Sequence, residues 1–274
     1  MAATTKLEYR LHRKFAIVYH FHGIDQTLPT RGELAEVKGG RYLRVNLEAR
    51  RYTSGHGTIR YADIAAGKLD ATLRRQAVGF KALRQPVYVS FDHEADSKYK
   101  FGRRGTPAQF VAAWRHIHNV YAAAGATNVA WVWTVTGWKG NWSREDQLWP
   151  GSRYVDWVSF DPYNLAGCQD GRINRDQWIS FDQAVRDPYR HFTTSSRYGT
   201  KPLMLSEFGT VTDYAQPQKT GQWYAAVPSA LQRYPKIKAV AQFNKKNDCD
   251  FRIDSNGTVM SSYRSAGLQG YVNP

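Results

Sequence analysis

The sequence predicts an α/β fold of the TIM (β/α)8-barrel type, lacking the first βα unit. Seven apolar, partly β-branched runs of strand length alternate with helix-like or looping segments, the pattern of parallel strands joined by right-handed crossovers. No glycine-rich phosphate loop follows the first run, which disfavours a doubly wound sheet. Two runs, PVYVSFDHE and KPLMLSEFG, end at Glu94 and Glu207, and carboxylates at strand ends can face each other across a barrel mouth.

The elements follow in order. LEYRLHRKF reads as the end of a helix leading into the first visible strand, FAIVYHFH, so the chain enters the barrel after its first strand. The strands at barrel positions two and eight would then carry unpaired edges, so the expected outcomes are an open barrel with a repaired edge, an edge-mediated oligomer in which a partner chain fills the gap, or a poorly stable fragment. RYLRVNLE and PVYVSFDHE are the next strands. The clearest helix is TPAQFVAAWRHIHNVYAAAG: Thr106 caps it, Pro107 suits its first turn, Gln109 completes a capping box and Gly125 stops it. Phe110, Trp114, Ile117 and Tyr121 recur on one face as a buried stripe. NVAWVWTV, YVDWVSFDPY, PLMLSEFG and IKAVAQFN complete the strands. No linker, low-complexity tract or internal repeat divides the chain, so residues 1–274 read as one domain.

The formal net charge of +15 comes from basic residues scattered along the chain, without a helix-turn-helix, zinc-finger or RNP-like signature. That argues against nucleic acid as partner and for a solvated basic surface, which could also suit an anionic polymer. No stretch is apolar enough to span a membrane, and MAATTKLEYRLHRKF is not a signal peptide. Asp92, His93 and Glu94 are residue types that ligate zinc, yet no HExxH or CxxC spacing accompanies them; no metal and no cofactor are expected. The nine Trp and 17 Tyr offer flat faces for sugar rings as well as core bulk.

On FDHEAD, the stretch TPAQFVAAWRHIHNVYAAAGATNVAWVWT, WPGSRYVDWVSFDPYN, KPLMLSEFG and the closing FNKKNDCDFRIDSNGTVMSSYRSAG, the chain resembles glycoside hydrolase family 26 over nearly its whole length. That family holds mostly β-mannanases, with some β-1,3-xylanases and β-1,3-1,4-glucanases. The resemblance implies a general acid/base at Glu94, after His93, and a nucleophile at Glu207, with Tyr163 beside the nucleophile. Retaining hydrolysis needs one carboxylic acid to protonate the leaving oxygen and one carboxylate to attack the anomeric carbon, about 5 to 5.5 Å apart. Glu94 must then hold its proton near neutral pH, through burial and the nearby charge of Glu207. His93 would orient a sugar hydroxyl or a carboxylate, or simply pack.

Trp133, Trp138 and Trp142 lie at or after a strand end, and about one of the three is expected to meet substrate. Where the family carries a Trp beside the Phe-Asn of its last strand, as a platform under the sugar, this chain has Gln242. The expected function is a retaining, endo-acting hydrolase of a β-linked polysaccharide or its oligosaccharides: mannan first, mixed-linkage glucan or β-1,3-xylan next. The alternative is a catalytically weak or inactive carbohydrate-binding barrel. Cys168 and Cys249 both follow strands into loops of the same barrel face, where they can form a disulfide. A bridge there implies a secreted, extracellular setting, with any targeting segment outside this chain.

Overall fold

All seven predicted runs are strands in the computed structural model, which describes residues 3–53, 55–168 and 177–272. They are β1 (Ile17–Gly23), β2 (Tyr42–Glu48), β3 (Val87–Phe91), β4 (Val129–Val135), β5 (Trp157–Phe160), β7 (Leu203–Thr210) and β8 (Ile237–Gln242). A two-residue strand, β6 (Tyr163–Asn164), continues the β5 run past Asp161 and Pro162. The pairings between these strands are parallel, and helices separate them, so the fold is of the (β/α)8-barrel type. A helix over Ala3–Leu11 precedes β1, as LEYRLHRKF predicts.

The chain divides into two compact units. One comprises Ala16–Phe160 with Ser195–Pro202, the other Met1–Phe15, Asp161–Thr194 and Leu203–Pro274. In the first unit, β1 to β5 pair in sequence order, with Tyr19 beside Arg44, Phe21 beside Asn46, Asn46 beside Ser90, and Thr134 beside Ser159. Period-two alternation turns one set of residues toward the helices. Phe91 and Trp131 belong to it, packing on Phe110, Trp114 and Tyr121 of the helix Pro107–Ala123. The opposite face is polar: Arg44, fully buried, lies 4.6 Å over the Tyr19 ring and donates to Thr134 Oγ1 at 2.6 Å.

The helix Pro107–Ala123 has the predicted capping box. Gln109 N–H donates to Thr106 Oγ1 at 3.2 Å and Thr106 N–H to Gln109 Oε1 at 2.9 Å. Phe110, Trp114, Ile117 and Tyr121 are all buried, and Gly125, at φ +74°, takes the left-handed form that ends a helix without cost.

In the second unit, β7 pairs with both β6 and β8. Phe208 packs against Phe181 and Trp223 of the covering helices Phe181–Thr194 and Pro217–Ala225. The pairing of β7 with β8 shifts register between Leu205 and Phe208, the stretch that holds Glu207. Among the described residues no helix is long and apolar enough to cross a membrane.

Candidate active site

β3 ends in a tight backbone reversal that carries Asp92, His93 and Glu94. Asp92 (φ +46°) and Glu94 (φ +53°) are both left-handed, a conformation that costs a residue with a Cβ about 1–2 kcal/mol. Strain of this kind collects where a side chain has to be aimed. Two anchors hold the turn: Glu94 N–H donates to Thr134 O at 3.0 Å, and buried Asp92 accepts from the Tyr61 hydroxyl and the Arg104 guanidinium. Burial and the Asp92 charge push the Tyr61 hydroxyl far above its usual range, so it stays a donor.

His93 is held by Asn46. The Asn46 Oδ1 accepts the His93 N–H at 3.0 Å, which turns the Asn46 amide nitrogen toward the ring, 2.9 Å from Nδ1. Lys100 Nζ, donating to the His93 carbonyl at 2.6 Å, stands 3.4 Å from the same ring nitrogen. With donors on Nδ1, the ring proton resides on Nε2. Burial, and then the charges of Lys100, Arg44 and Arg104, push the imidazole well below its ordinary pKa, so His93 is neutral. Phe21, 37% exposed, meets its ring edge-on at 5.0 Å.

Glu207, 8% exposed, is fixed from two sides. The Tyr163 hydroxyl donates to Oε2 at 2.6 Å, and the Glu207 N–H donates to Asp161 Oδ1 at 3.0 Å. Tyr163 in turn packs against Phe251 at 5.1 Å and Phe243 at 6.0 Å. Behind these rings Cys168 and Cys249 are joined in a disulfide, their Cα atoms 5.4 Å apart, in one apolar cluster with Val211 and Phe251. The sequence-predicted pairing is therefore the one the structure contains.

The three tryptophans part ways. Trp133 shares the helix-facing side of β4 with Trp131; it is buried, stacked on Tyr198 at 5.4 Å and edge-on to Trp149 at 5.0 Å, a core position. Trp138 is 54% exposed, and Trp142 is half-buried under Lys139. Gln242, in place of the family's Trp, is held by its own neighbours. It stands opposite Phe208, and its Nε2 donates to the Tyr224 hydroxyl at 3.1 Å and to the Phe243 and Phe251 carbonyls at 2.9 and 3.2 Å. The ring that faces Tyr163 is that of its neighbour Phe243.

Sequence reasoning missed Asn46, Lys100, Asp161 and Phe21. Asn46, inside the apolar run YLRVNLE, and Asp161, closing WVSFD, carried a signal: a polar residue in a buried strand needs a partner. Among the described residues no group of His, Cys, Asp and Glu could hold a metal ion.

The family described as glycosyl hydrolase family 26 matches this chain over residues 58–237. Endoglucanase H of Acetivibrio thermocellus is 30% identical over 220 residues, covering 77% of this chain and 23% of that protein. The chain thus spans about a quarter of that relative's length. Among solved structures, a family 26 β-mannanase from Bacteroides ovatus aligns with a TM-score of 0.68 at 12% identity, over 93% of this chain and 80% of that one. A family 26 protein from Muricauda aligns with a TM-score of 0.70 at 10% identity, over 97% and 80%. At such identities these two speak for the fold alone.

Proposed function

Because the chain belongs to glycosyl hydrolase family 26, we propose that it is a retaining, endo-acting hydrolase of a β-linked polysaccharide, with Glu94 as acid/base and Glu207 as nucleophile. The observation that carries this reading is the hold on Glu207, a carboxylate within β7 gripped at Oε2 by Tyr163 and through its own N–H by Asp161. A nucleophile has to be aimed more than it has to be basic, and this grip aims it.

In the first step Glu94 gives its proton to the glycosidic oxygen while a Glu207 oxygen attacks the anomeric carbon, forming a covalent glycosyl ester with inverted configuration. In the second, Glu94 takes a proton from water, whose oxygen displaces Glu207 and restores the β configuration. His93, neutral and protonated on Nε2, donates to a sugar hydroxyl or a carboxylate. The exposed faces of Trp138 and Phe21 are the platforms for sugar rings.

Mannan remains the first choice of substrate because the family holds mostly β-mannanases, while the name of endoglucanase H speaks for a glucan. The setting is extracellular, where the Cys168–Cys249 bridge persists. Release of reducing ends from mannan, mixed-linkage glucan and xylan tests the proposal. Turnover of one polymer by the parent, lost in both Glu94→Gln and Glu207→Gln, is the expected result. Sugar binding with no turnover in the parent would make the chain a carbohydrate-binding barrel instead.

A further inference from the structure

We infer that the cavity between the loops after β6 and β7 is a remote subsite for one neutral sugar ring of the polysaccharide held at Glu207; the inference rests on the glycosidase reading. The cavity, of about 340 Å³, is at the small end of the range for ligand pockets. Its walls combine the flat rings of Trp178 and Tyr214 with the polar Thr212, Asp213 and Lys219. Apolar faces with a few polar groups at their rims match a pyranose ring, whose C–H faces stack while its hydroxyls hydrogen-bond.

Charge narrows the ligand. Among the described lining residues the charged ones are Lys219 and Asp213, opposite in sign. The Lys219 ammonium lies 4.6 Å over the Trp178 ring, which covers that ring with a cation. Tyr214, 58% exposed, is left as the stacking platform. A uronate or phosphate would meet Asp213 as well as Lys219, so an uncharged sugar fits best.

The walls are set in advance of any ligand. Tyr214 donates its hydroxyl to Asp250 Oδ2 at 2.6 Å, and Arg252 grips the same carboxylate at 2.9 and 2.7 Å. Asp213 Oδ1 accepts the N–H groups of Ala215 and Gln216, closing a turn. Across the cavity Gly167, at φ +78° and with open space where a Cβ would stand, leads directly into the bridge from Cys168 to Cys249. Pre-set walls bind with less entropy lost.

Position gives the role. Val211 to Tyr214 lie four to seven residues beyond Glu207 on the strand and loop that carry it. At about 3.3 Å per residue that is at most about 13–23 Å, too far for the ring under attack and within reach of a ring farther along one chain.

The test uses Tyr214→Ala, Tyr214→Leu, which keeps apolar bulk, and Tyr214→Phe, which keeps the flat face, each checked by thermal melting. For the polymer the parent cleaves, kcat/KM is measured over oligosaccharides of rising length. The ratio of long to short substrates should fall about tenfold in the Ala and Leu variants, about 1.4 kcal/mol, and stay near the parent's in Phe. Native gels containing mannan, mixed-linkage glucan or xylan give a second readout, in which the Ala and Leu variants should lose retardation. An equal loss at every length, no change in the ratio, or loss in Phe as great as in Ala overturns the subsite. Should the parent cleave nothing, the gels alone decide. Retardation lost with the ring keeps the subsite while the glycosidase reading fails; retardation unchanged, or absent in the parent, removes the subsite.

Discussion

Asn46 gives both ends of its amide to His93, one to the backbone N–H and one to Nδ1. Asn46→Ala leaves both groups without that partner in a mostly buried setting, at about 1–3 kcal/mol. Urea unfolding should show that loss, with a lower kcat as the imidazole loses its fixed orientation. Glu145 carries a second residue-scale expectation. Burial, then the charges of Asp96 and Asp146, pushes its carboxyl up from 4.5 to about 9. The folded protein thus keeps a proton that the unfolded chain releases near 4.5, and stability falls as pH rises from about 4.5 to about 9. Glu145→Gln, neutral throughout, should flatten that slope in urea melts taken across the window; Asp96, pushed up for the same reason, retains part of it. The nearness of Tyr163 to Glu207 was legible in the sequence through the family resemblance, and their hydrogen bond agrees with it. The partner of Asn46 was not legible, because it lies beyond another strand and pairing across a sheet depends on register; Lys100 reaches His93 from within the same loop, where no periodic pattern marks it.

Strands were the most legible elements, since alternation and length identify each run without tertiary information. What alternation alone could not settle was which face of a doubly buried strand looks inward. In β4 both sets are apolar or aromatic apart from Thr134, so Trp133 read as a site candidate although it faces Trp149 and Tyr198. The disulfide was legible because both cysteines follow strands on one barrel face. It closes 81 residues, a constraint worth on the order of 4 kcal/mol in chain entropy. It also backs the Phe251 ring on which Tyr163 rests. A Cys168→Ser, Cys249→Ser double variant should therefore melt lower than the parent and turn over more slowly, and the unreduced, unfolded parent should show no reactive thiol. Two reactive thiols per chain would contradict the bridge.

For the whole molecule, family membership and the barrel order agree with what the motifs and their spacing implied, while the choice among mannan, glucan and xylan was not legible. That choice depends on loop side chains, and loops carry no periodic signal. The net charge of +15 bears on solubility and encounter with polymers, and says nothing of which bond is cut. Retention is the property that depends on everything at once: fold, strand order, and both glutamates acting on one bond. Proton NMR of the fresh product from the polymer that the enzyme cleaves measures it directly. Glu94 and Glu207 in their assigned roles predict that the β-anomer appears first and then mutarotates; an α-anomer appearing first would contradict them.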